Sequence, residues 1–530
     1  MEKENKKKTT SKKKTASKPT NKTVKKANSK DKLHLLLVYP DFLEDGSAKS
    51  NGGSYSEGLA SISAVVKEGG HKVSLMHLTK YHDEDDFKER LKTYKDVDLV
   101  GFSTRTTAFP YVSKCAKWTK EVNKDYFVFS GGYHAILVPD AFMEVPEFDA
   151  VCVGEGEYPI LELMDKMSEG KKYTDTLSFY FNENGKIIKN EVRPLIENLD
   201  DLPFPDINLF DYKNLESTKV DTALIMLSRG CIYACTYCGN SQFRNIYPNK
   251  AKYARFRSPE KAIELIKRVL TQYPNIKYIN FRDAIFNMFP KWFDEFIDLY
   301  TKEIHLPFTC NLRFDIVTED TVRRMKEAGC YTIDIGLESG NREIRQKYLH
   351  RFTTDEQMIN CSKWFTKYNI TVLTFNIIGL PYEDIHKALE TVKLNARLKS
   401  HQSIPNIFTP YPETILRKIA EDAGYEMEID PTKRVFVHMP QFPDHQILFV
   451  ADFFRYYVKR YKWCFAKDTW FRRMYEKWLD FWFTGPLTPR RLMVWMYAIW
   501  IKIRVFLKSF LITKLPKVYL KLRRIKNRIK

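Results

Sequence analysis

The last 45 residues, 486–530, contain no Asp or Glu but 13 Lys and Arg, a net charge of +13. Cysteine is scarce: nine in 530 residues, too few and too irregular for a disulfide framework. Long apolar runs are lacking too. The longest uncharged one near the C-terminus, Leu492 to Ile501, is ten residues, too short to span a bilayer by itself. Residues 1–32 have no apolar stretch, so no signal peptide is read there. They carry 13 Lys against Glu2, Glu4 and Asp31, a net of +10, and read as a disordered basic tail. With the two ends removed from the overall +20, residues 33–485 are left with −3. That excludes reading the whole protein as a basic nucleic-acid binder. An aromatic content of 14% and a hydrophobic content of 44% exclude a mainly disordered chain. A length of 530 residues is too great for one ordinary core.

The body alternates short apolar strands with helix-length segments. Strands are expected at Leu33–Val38, His71–His77, Asp98–Phe102, Tyr126–Phe129 and Ala150–Val153, with a helix from Glu57 to Glu68. This predicts a parallel, doubly wound α/β domain over 33–195, with a ligand beyond the strands' carboxyl ends. The glycines of Ser130-Gly131-Gly132 and Gly154-Glu155-Gly156-Glu157 fall at those ends. The acidic, Pro-bearing stretch around Asn198–Pro205 reads as a linker spanning 196–220. A second alternation over 221–425 supplies strands at Ala223–Leu227, Tyr278–Phe281, Thr309–Leu312, Thr332–Gly336, Val372–Ile378 and Gln402–Phe408, the count of a partial (β/α)6 barrel. From 426 to 530 the pattern turns to aromatic-dense helix, holding six of the nine Trp.

After the first barrel strand comes Ser228-Arg229-Gly230-Cys231-Ile232-Tyr233-Ala234-Cys235-Thr236-Tyr237-Cys238. Three thiolates at i, i+4 and i+7 can hold three corners of a cubane cluster and leave its fourth iron open. The alternative is zinc, for which no matching Cys or His pair lies nearby. The CxxxCxxC triplet with Tyr237 before its last Cys resembles the radical S-adenosylmethionine superfamily. The resemblance continues through Phe281-Arg282-Asp283, Asn311-Leu312-Arg313, Ile335-Gly336-Leu337-Glu338-Ser339-Gly340, Asn376–Glu383 and Pro410–Thr414. Two departures are Tyr382 and Glu413, where the family usually has Gly. The resemblance implies a [4Fe-4S] cluster on Cys231, Cys235 and Cys238 that binds S-adenosylmethionine and cleaves it to methionine and a 5′-deoxyadenosyl radical. It implies Glu338 and Ser339 at the ribose or the methionine amino group, and the Gly379 turn at the adenine. For Glu338 and Arg313 the alternative is a structural ion pair.

A doubly wound domain before such a barrel resembles the cobalamin-binding subgroup. Its Asp-x-His-x-x-Gly fingerprint falls on Gly53, Tyr55 and Gly58, so the glycine survives and the cobalt-binding His does not. Ser103-Thr104-Arg105 occupies the place of the Ser-x-Leu element, followed by Gly131-Gly132. The Gly131–Ala135 and Val153–Glu157 segments are similar to the subgroup's strand-end motifs, which implies cobalamin near Tyr55, Gly58, Ser103, Gly131, Gly132, Gly154 and Glu155. A phenol is a poor neutral cobalt ligand, so Tyr55 is given no ligating role. The alternative is a degenerate Rossmann-like domain that only shapes a substrate pocket. His34 and His71 are read as structural.

Leu511, Leu515, Val518, Leu522, Ile525 and Ile529 form one apolar stripe at helical spacing, interleaved with Lys and Arg. Such a helix reads as lying on a membrane surface, or alternatively as packing on the barrel. The expectation is a cytoplasmic enzyme, peripheral on the inner face of the membrane. It would methylate an unactivated carbon of a hydrophobic or lipid substrate, with an electron donor such as flavodoxin or ferredoxin. Competing readings are a radical cyclase or oxidoreductase on a tetrapyrrole or lipid, a tRNA methylthiolating enzyme, and a non-catalytic cobalamin or redox sensor. The methylthiolating enzymes carry three cysteines in the first domain, where this chain has only Cys115 and Cys152.

Overall fold

The computed structural model describes residues 32–42, 52–430 and 433–528. The basic tail of 1–31 and Ile529 of the apolar stripe therefore lie outside the described residues. The described residues build two large sheets packed with helices, two short two-stranded ribbons and a helical C-terminal region.

The first sheet contains β1 (His34–Pro40), β2 (Lys72–Leu78), β3 (Leu99–Ser103), β4 (Phe127–Gly131), β5 (Ala150–Cys152), β6 (Phe179–Glu183) and β7 (Lys186–Lys189), in spatial order 2-1-3-4-5-6-7. Strands β1 to β5 pair in parallel, and the order reverses between β1 and β3, the place where doubly wound sheets bind ligands. Their residues are apolar on both faces because helices cover both, as Leu36 and Val38 face one cluster and Leu35 and Leu37 the other. The antiparallel β6–β7 hairpin extends the edge and was not expected. Its signal was present: Asn184-Gly185 takes left-handed φ values of 54° and 89°, as a tight hairpin turn requires. His71 accepts the Leu33 amide at 3.1 Å and meets Asp165 at 2.9 Å, a structural histidine.

The 206–219 stretch is no loose tether. Ile207, Phe210, Tyr212 and Leu215 are buried in the core that both sheets share, so its lack of periodicity reflects short turns. The second sheet contains β8 (Thr222–Ile225), β9 (Tyr278–Phe281), β10 (Phe308–Leu312), β11 (Cys330–Glu338), β12 (Thr371–Ile378) and β13 (Gln402–Ile407) in sequential, all-parallel order. Strands β8 and β13 pair on one side only, which leaves the sheet open. The Asp444–Phe465 helix covers the β13 edge, where Arg455 donates to the Ser403 carbonyl at 3.0 Å.

Tyr382 and Glu413 both adopt left-handed backbone, with φ of 64° and 60°. The turns demand the conformation that glycine supplies most readily, and these side chains hold it with strain. Tyr382 gains a stacked ring, Tyr348 at 4.7 Å, whereas the Glu413 side chain is exposed to solvent. Glu413→Gly is expected to stabilise the protein by roughly 0.5 kcal/mol. Denaturant unfolding checks this, and an unchanged or lower midpoint would contradict it.

Candidate functional site

The cysteine loop leaves β8 through Ser228–Arg229, which pairs antiparallel with Arg255–Phe256. Gly230 has φ +78°, and a Cβ there would come within 2.3 Å of the Tyr253 carbonyl oxygen, so the turn into the loop needs glycine. Cys235 is buried, and Cys231 and Cys238 are partly exposed. Burial pushes the Cys231 and Cys238 thiols up, against the pull of nearby backbone N–H groups. Arg313 donates to the Cys235 sulfur at 3.3 Å, lies 3.5 Å from the centre of the Tyr233 ring and pairs with Asp315 at 2.9 Å. The ion-pair reading of Arg313 and a contact with the cysteine loop therefore hold together. Among the described residues no three His, Cys, Asp or Glu side chains converge on a single ion. A cubane instead takes one thiolate on each of three irons.

Glu338 ends β11 at φ +66°, after a register shift that turns its side chain back along the strand. Its carboxylate accepts from the Tyr237 hydroxyl at 2.9 Å and from Arg351 at 3.3 Å, and Arg351 also donates to Tyr237 at 3.0 Å. The alternative considered for Glu338, a carboxylate paired to an arginine, is thus present in the folded chain. Ser339 beside it is fully buried, and its hydroxyl accepts the Asn341 amide at 3.3 Å. Gly379 has φ +80° and donates to Glu383 at 2.7 Å; Leu380 donates to the same oxygen at 3.1 Å. The second Glu383 oxygen is buried without a partner, and burial pushes this carboxyl up to about 8.

The first sheet turns its strand ends toward this loop. Tyr133 packs on Phe243, just beyond Cys238, at 5.2 Å. Gly154, at φ +101°, would bring a Cβ within 3.0 Å of the Tyr247 hydroxyl, and Gly132, at φ +95°, within 3.1 Å of the Thr104 backbone. The chain's own packing requires both glycines. By contrast a Cβ on Gly58 would meet nothing within 4 Å, and one on Gly131 makes only ordinary contact, so space remains beside them. Ser103 closes β3 level with Gly131, its register partner. Tyr55 packs edge-on against Phe210 and Tyr212, and burial raises its phenol well above the usual value, so it stays protonated.

Glu155 is engaged with the other sheet rather than left open for a ligand. Arg229 reaches it at 3.0 Å, Arg255 at 2.8 Å and the Ile196 amide at 3.0 Å. Burial works against its charge, yet the two guanidiniums hold its carboxyl below the usual value. Glu157, also buried, takes Arg229 at 2.5 Å. Two further carboxyls line the same seam. Burial pushes Glu57 up to about 7, opposed by Arg257 and Arg229, and raises Asp283 to about 6. One Asp283 oxygen accepts from Leu227 and Ser228, at 2.8 and 2.5 Å, and the other is buried without a partner. Sequence reading gave no role to Arg229, Arg255, Arg351 or Glu57. Arg229 lay within the cysteine segment, but its partners are 72 and 74 residues away.

Residues 225–394 match the Radical SAM superfamily and residues 47–164 the B12 binding domain. An uncharacterized methyltransferase of Pyrococcus horikoshii is 32% identical over 367 residues, which cover 68% of this chain and 78% of that protein. This chain belongs to the B12-binding radical SAM enzymes. An anaerobic magnesium-protoporphyrin IX monomethyl ester cyclase of Rubrivivax gelatinosus is 24% identical, covering 78% of this chain and 74% of the cyclase. The fold is shared with a radical S-adenosylmethionine methyltransferase, TsrM, from Kitasatospora setae, whose structure holds cobalamin and a [4Fe-4S] cluster. The TM-score is 0.60 at 16% identity, over 74% of this chain and 75% of that one. The cofactors of this B12-binding radical SAM enzyme are a [4Fe-4S] cluster, S-adenosylmethionine and cobalamin, and it needs a reductant. The residues fit these groups: three thiols in one loop beside a guanidinium, and strand ends with open space at Gly58 and Gly131.

Because Glu155 neutralises the buried Arg255 and the partly buried Arg229 across the seam, Glu155→Gln is expected to cost about 3 kcal/mol of stability. Glu327→Gln, which removes one partner of an exposed pair with Arg323, is expected to cost under about 1 kcal/mol. Denaturant unfolding of both variants checks this; equal losses would contradict it.

Proposed function

We propose that this enzyme methylates an unactivated carbon of a hydrophobic substrate, using cobalamin and radical S-adenosylmethionine chemistry. The reading is carried by one arrangement: the strand ends of a B12-binding sheet held against a cysteine loop at the strand ends of the second sheet. When bound, the cluster and S-adenosylmethionine supply the hydrogen-abstracting radical, and cobalamin supplies the methyl group. The chain's own residues do the rest. Cys231, Cys235 and Cys238 hold the cluster, with Arg313 donating to one sulfur. Glu338, Tyr237 and Arg351 form the polar wall beside it, where Glu338 and Ser339 serve the ribose or the methionine amino group, and the Gly379 turn serves the adenine. Tyr55, Gly58, Ser103, Gly131, Gly132 and Gly154 border the cobalamin. Glu155 is assigned to holding the sheets together. Glu57 and Asp283, with carboxyls raised to about 7 and about 6, take up protons in the seam as pH falls through that range. The similarity to a cyclase supports a second reading, ring closure on a tetrapyrrole or lipid.

The substrate class rests on the C-terminal arm. In the Arg490–Lys514 helix, Trp495, Met496, Trp500 and Phe506 are half or more exposed, and Arg490 is the one buried residue. No helix among the described residues is long and apolar enough to cross a membrane. Apolar exposure with a basic complement and no acid suits the surface of an anionic membrane.

Anaerobically reconstituted enzyme with a reductant is expected to release 5′-deoxyadenosine from S-adenosylmethionine, and Cys235→Ala to release none. An inactive wild type carrying its full iron complement would favour the sensor. Full-length protein is expected to partition onto phosphatidylglycerol vesicles, and Lys508→Glu with Lys517→Glu to weaken this by at least about tenfold. Equal binding of the variant would exclude the membrane reading.

A further inference from the structure

The Trp470–Thr484 helix inverts the usual order of a surface helix. Its acidic groups point inward. Glu476 and Asp480 both take Lys393 of the Ile385–Arg397 helix, each at 2.8 Å, and Asp480 also accepts the Tyr461 hydroxyl at 2.7 Å. Leu479 and Phe483 are buried against the body. Outward, Trp470, Met474, Trp478 and Phe481 recur at spacings of 4, 4 and 3, with Phe471 beside them. Trp470 is 73% exposed and Trp478 52%. Tyr475 carries the patch on to the preceding helix: it stacks on Trp478 at 5.5 Å and meets Trp463 edge-on, also at 5.5 Å. Anchored from within by partly buried ion pairs, the helix holds this aromatic face open.

We propose that this face is a second membrane-contact surface, which seats in the headgroup layer of an anionic bilayer and fixes the stance of the barrel on it. The inference rests on the reading of the C-terminal arm as membrane-binding and deepens it. Length, charge and symmetry select a lipid surface. The helix has 15 residues, about 22 Å, too short to span the hydrocarbon. It therefore lies in the plane of the interface, the level at which Trp is most at home. The three acids of 466–485 are all engaged within the protein, Asp468 by Arg473 at 2.8 Å and the other two by Lys393. Lys467 and Lys477 are exposed, so the rim of the patch is positive and complements anionic lipid. A two-fold contact between copies of the chain through the same face would set that positive rim against itself. Lys393 belongs to the helix that joins β12 to β13, so the contact is passed directly to the barrel. The arm then supplies attraction by charge, and this face supplies insertion.

The test compares full-length, cluster-loaded wild type with Trp470→Ala plus Trp478→Ala, and with Trp470→Phe plus Trp478→Phe. Partition is measured by co-sedimentation with vesicles of phosphatidylglycerol and acyl-chain-brominated phosphatidylcholine. At about 0.5 M salt, where exposed charges are largely screened, the Ala pair is expected to weaken partition at least about tenfold and the Phe pair by less than about threefold. The Phe pair keeps the apolar face but loses two fluorophores, so less of its tryptophan emission is expected to be quenched by the bromines. Lys508→Glu with Lys517→Glu, by contrast, is expected to weaken partition at low salt and to leave it unchanged at high salt. Unchanged partition of the Ala pair, or unchanged quenching in the Phe pair, would overturn the proposal while the arm reading stands. No partition by wild type would overturn both. A wild type that sediments as a dimer without lipid, with an Ala pair that sediments as a monomer, would give the face to a second copy and overturn the proposal. Iron content and 5′-deoxyadenosine release are expected to match wild type in both pairs; should the Ala pair fold poorly, the quenching of the Phe pair decides.

Discussion

The Glu155 carboxylate, held between Arg229 and Arg255, is the contact on which the rest of the architecture depends. Arg229 is two residues before Cys231, and Glu155 follows β5 of the first sheet. One largely buried ionic junction therefore ties the start of the cysteine loop to the strand ends of the B12-binding sheet. Burying such charges is expensive, and an apolar seam of the same volume would be at least as stable. What the ionic version adds is direction: planar guanidiniums accept only a narrow set of approach angles. For chemistry that passes between groups bound on two different sheets, relative placement matters more than stability.

The same seam explains the perturbed carboxyls. Arg229, Arg255 and Arg257 cannot give up their charge, and facing them are Glu57, Asp283, Glu155 and Glu157. Four ionised carboxyls would leave three guanidiniums outnumbered in a dry environment. Glu155, which takes two guanidiniums, is held below the usual carboxylate value. Burial lifts Glu57 and Asp283 to about 7 and 6, so the excess negative charge is relieved by proton uptake as pH falls through that range. The seam approaches neutrality on mild acidification, because burial has brought the titration of these two acids close to neutral pH.

Most of the fold was legible because both sheets repeat a strong local pattern. The apolar runs of β1, β9 and β12 and the Glu57–Glu68 helix fall within a residue or two of expectation. The cysteine loop was legible because its chemistry sits within eight residues. The Glu155 junction was not, since a Gly-Glu-Gly-Glu strand end resembles a ligand loop, and only the fold brings Arg255, 100 residues on, to its side. The Tyr382 and Glu413 departures were visible as letters but not as strain. Their left-handed φ shows that these turns take the conformation glycine adopts most readily, although neither residue is glycine.

The C-terminal region divides into two parts that the composition merged. The Asp444–Phe465 helix behaves as core, joined by Leu479 and Phe483 of the next helix: Ile447, Phe449, Phe454, Tyr461 and Phe483 are fully buried beside β13 and its neighbours. From Arg490 onward the residues are just as apolar, yet almost none is buried. Sequence hydrophobicity alone cannot separate these cases, because both present aromatic faces at helical spacing. The charge does separate them. Lys393 pairs with Glu476 and Asp480 across the core helices, whereas the arm has no acid of its own and meets Glu216 of the body through Arg523. An apolar surface that carries uncompensated positive charge is poorly suited to a protein core and well suited to an anionic interface. Apart from the buried Arg490 and the Glu216-paired Arg523, Arg491, Lys502, Arg504, Lys508, Lys514, Lys517 and Lys521 are exposed, and the proposed contact with an anionic surface draws on these.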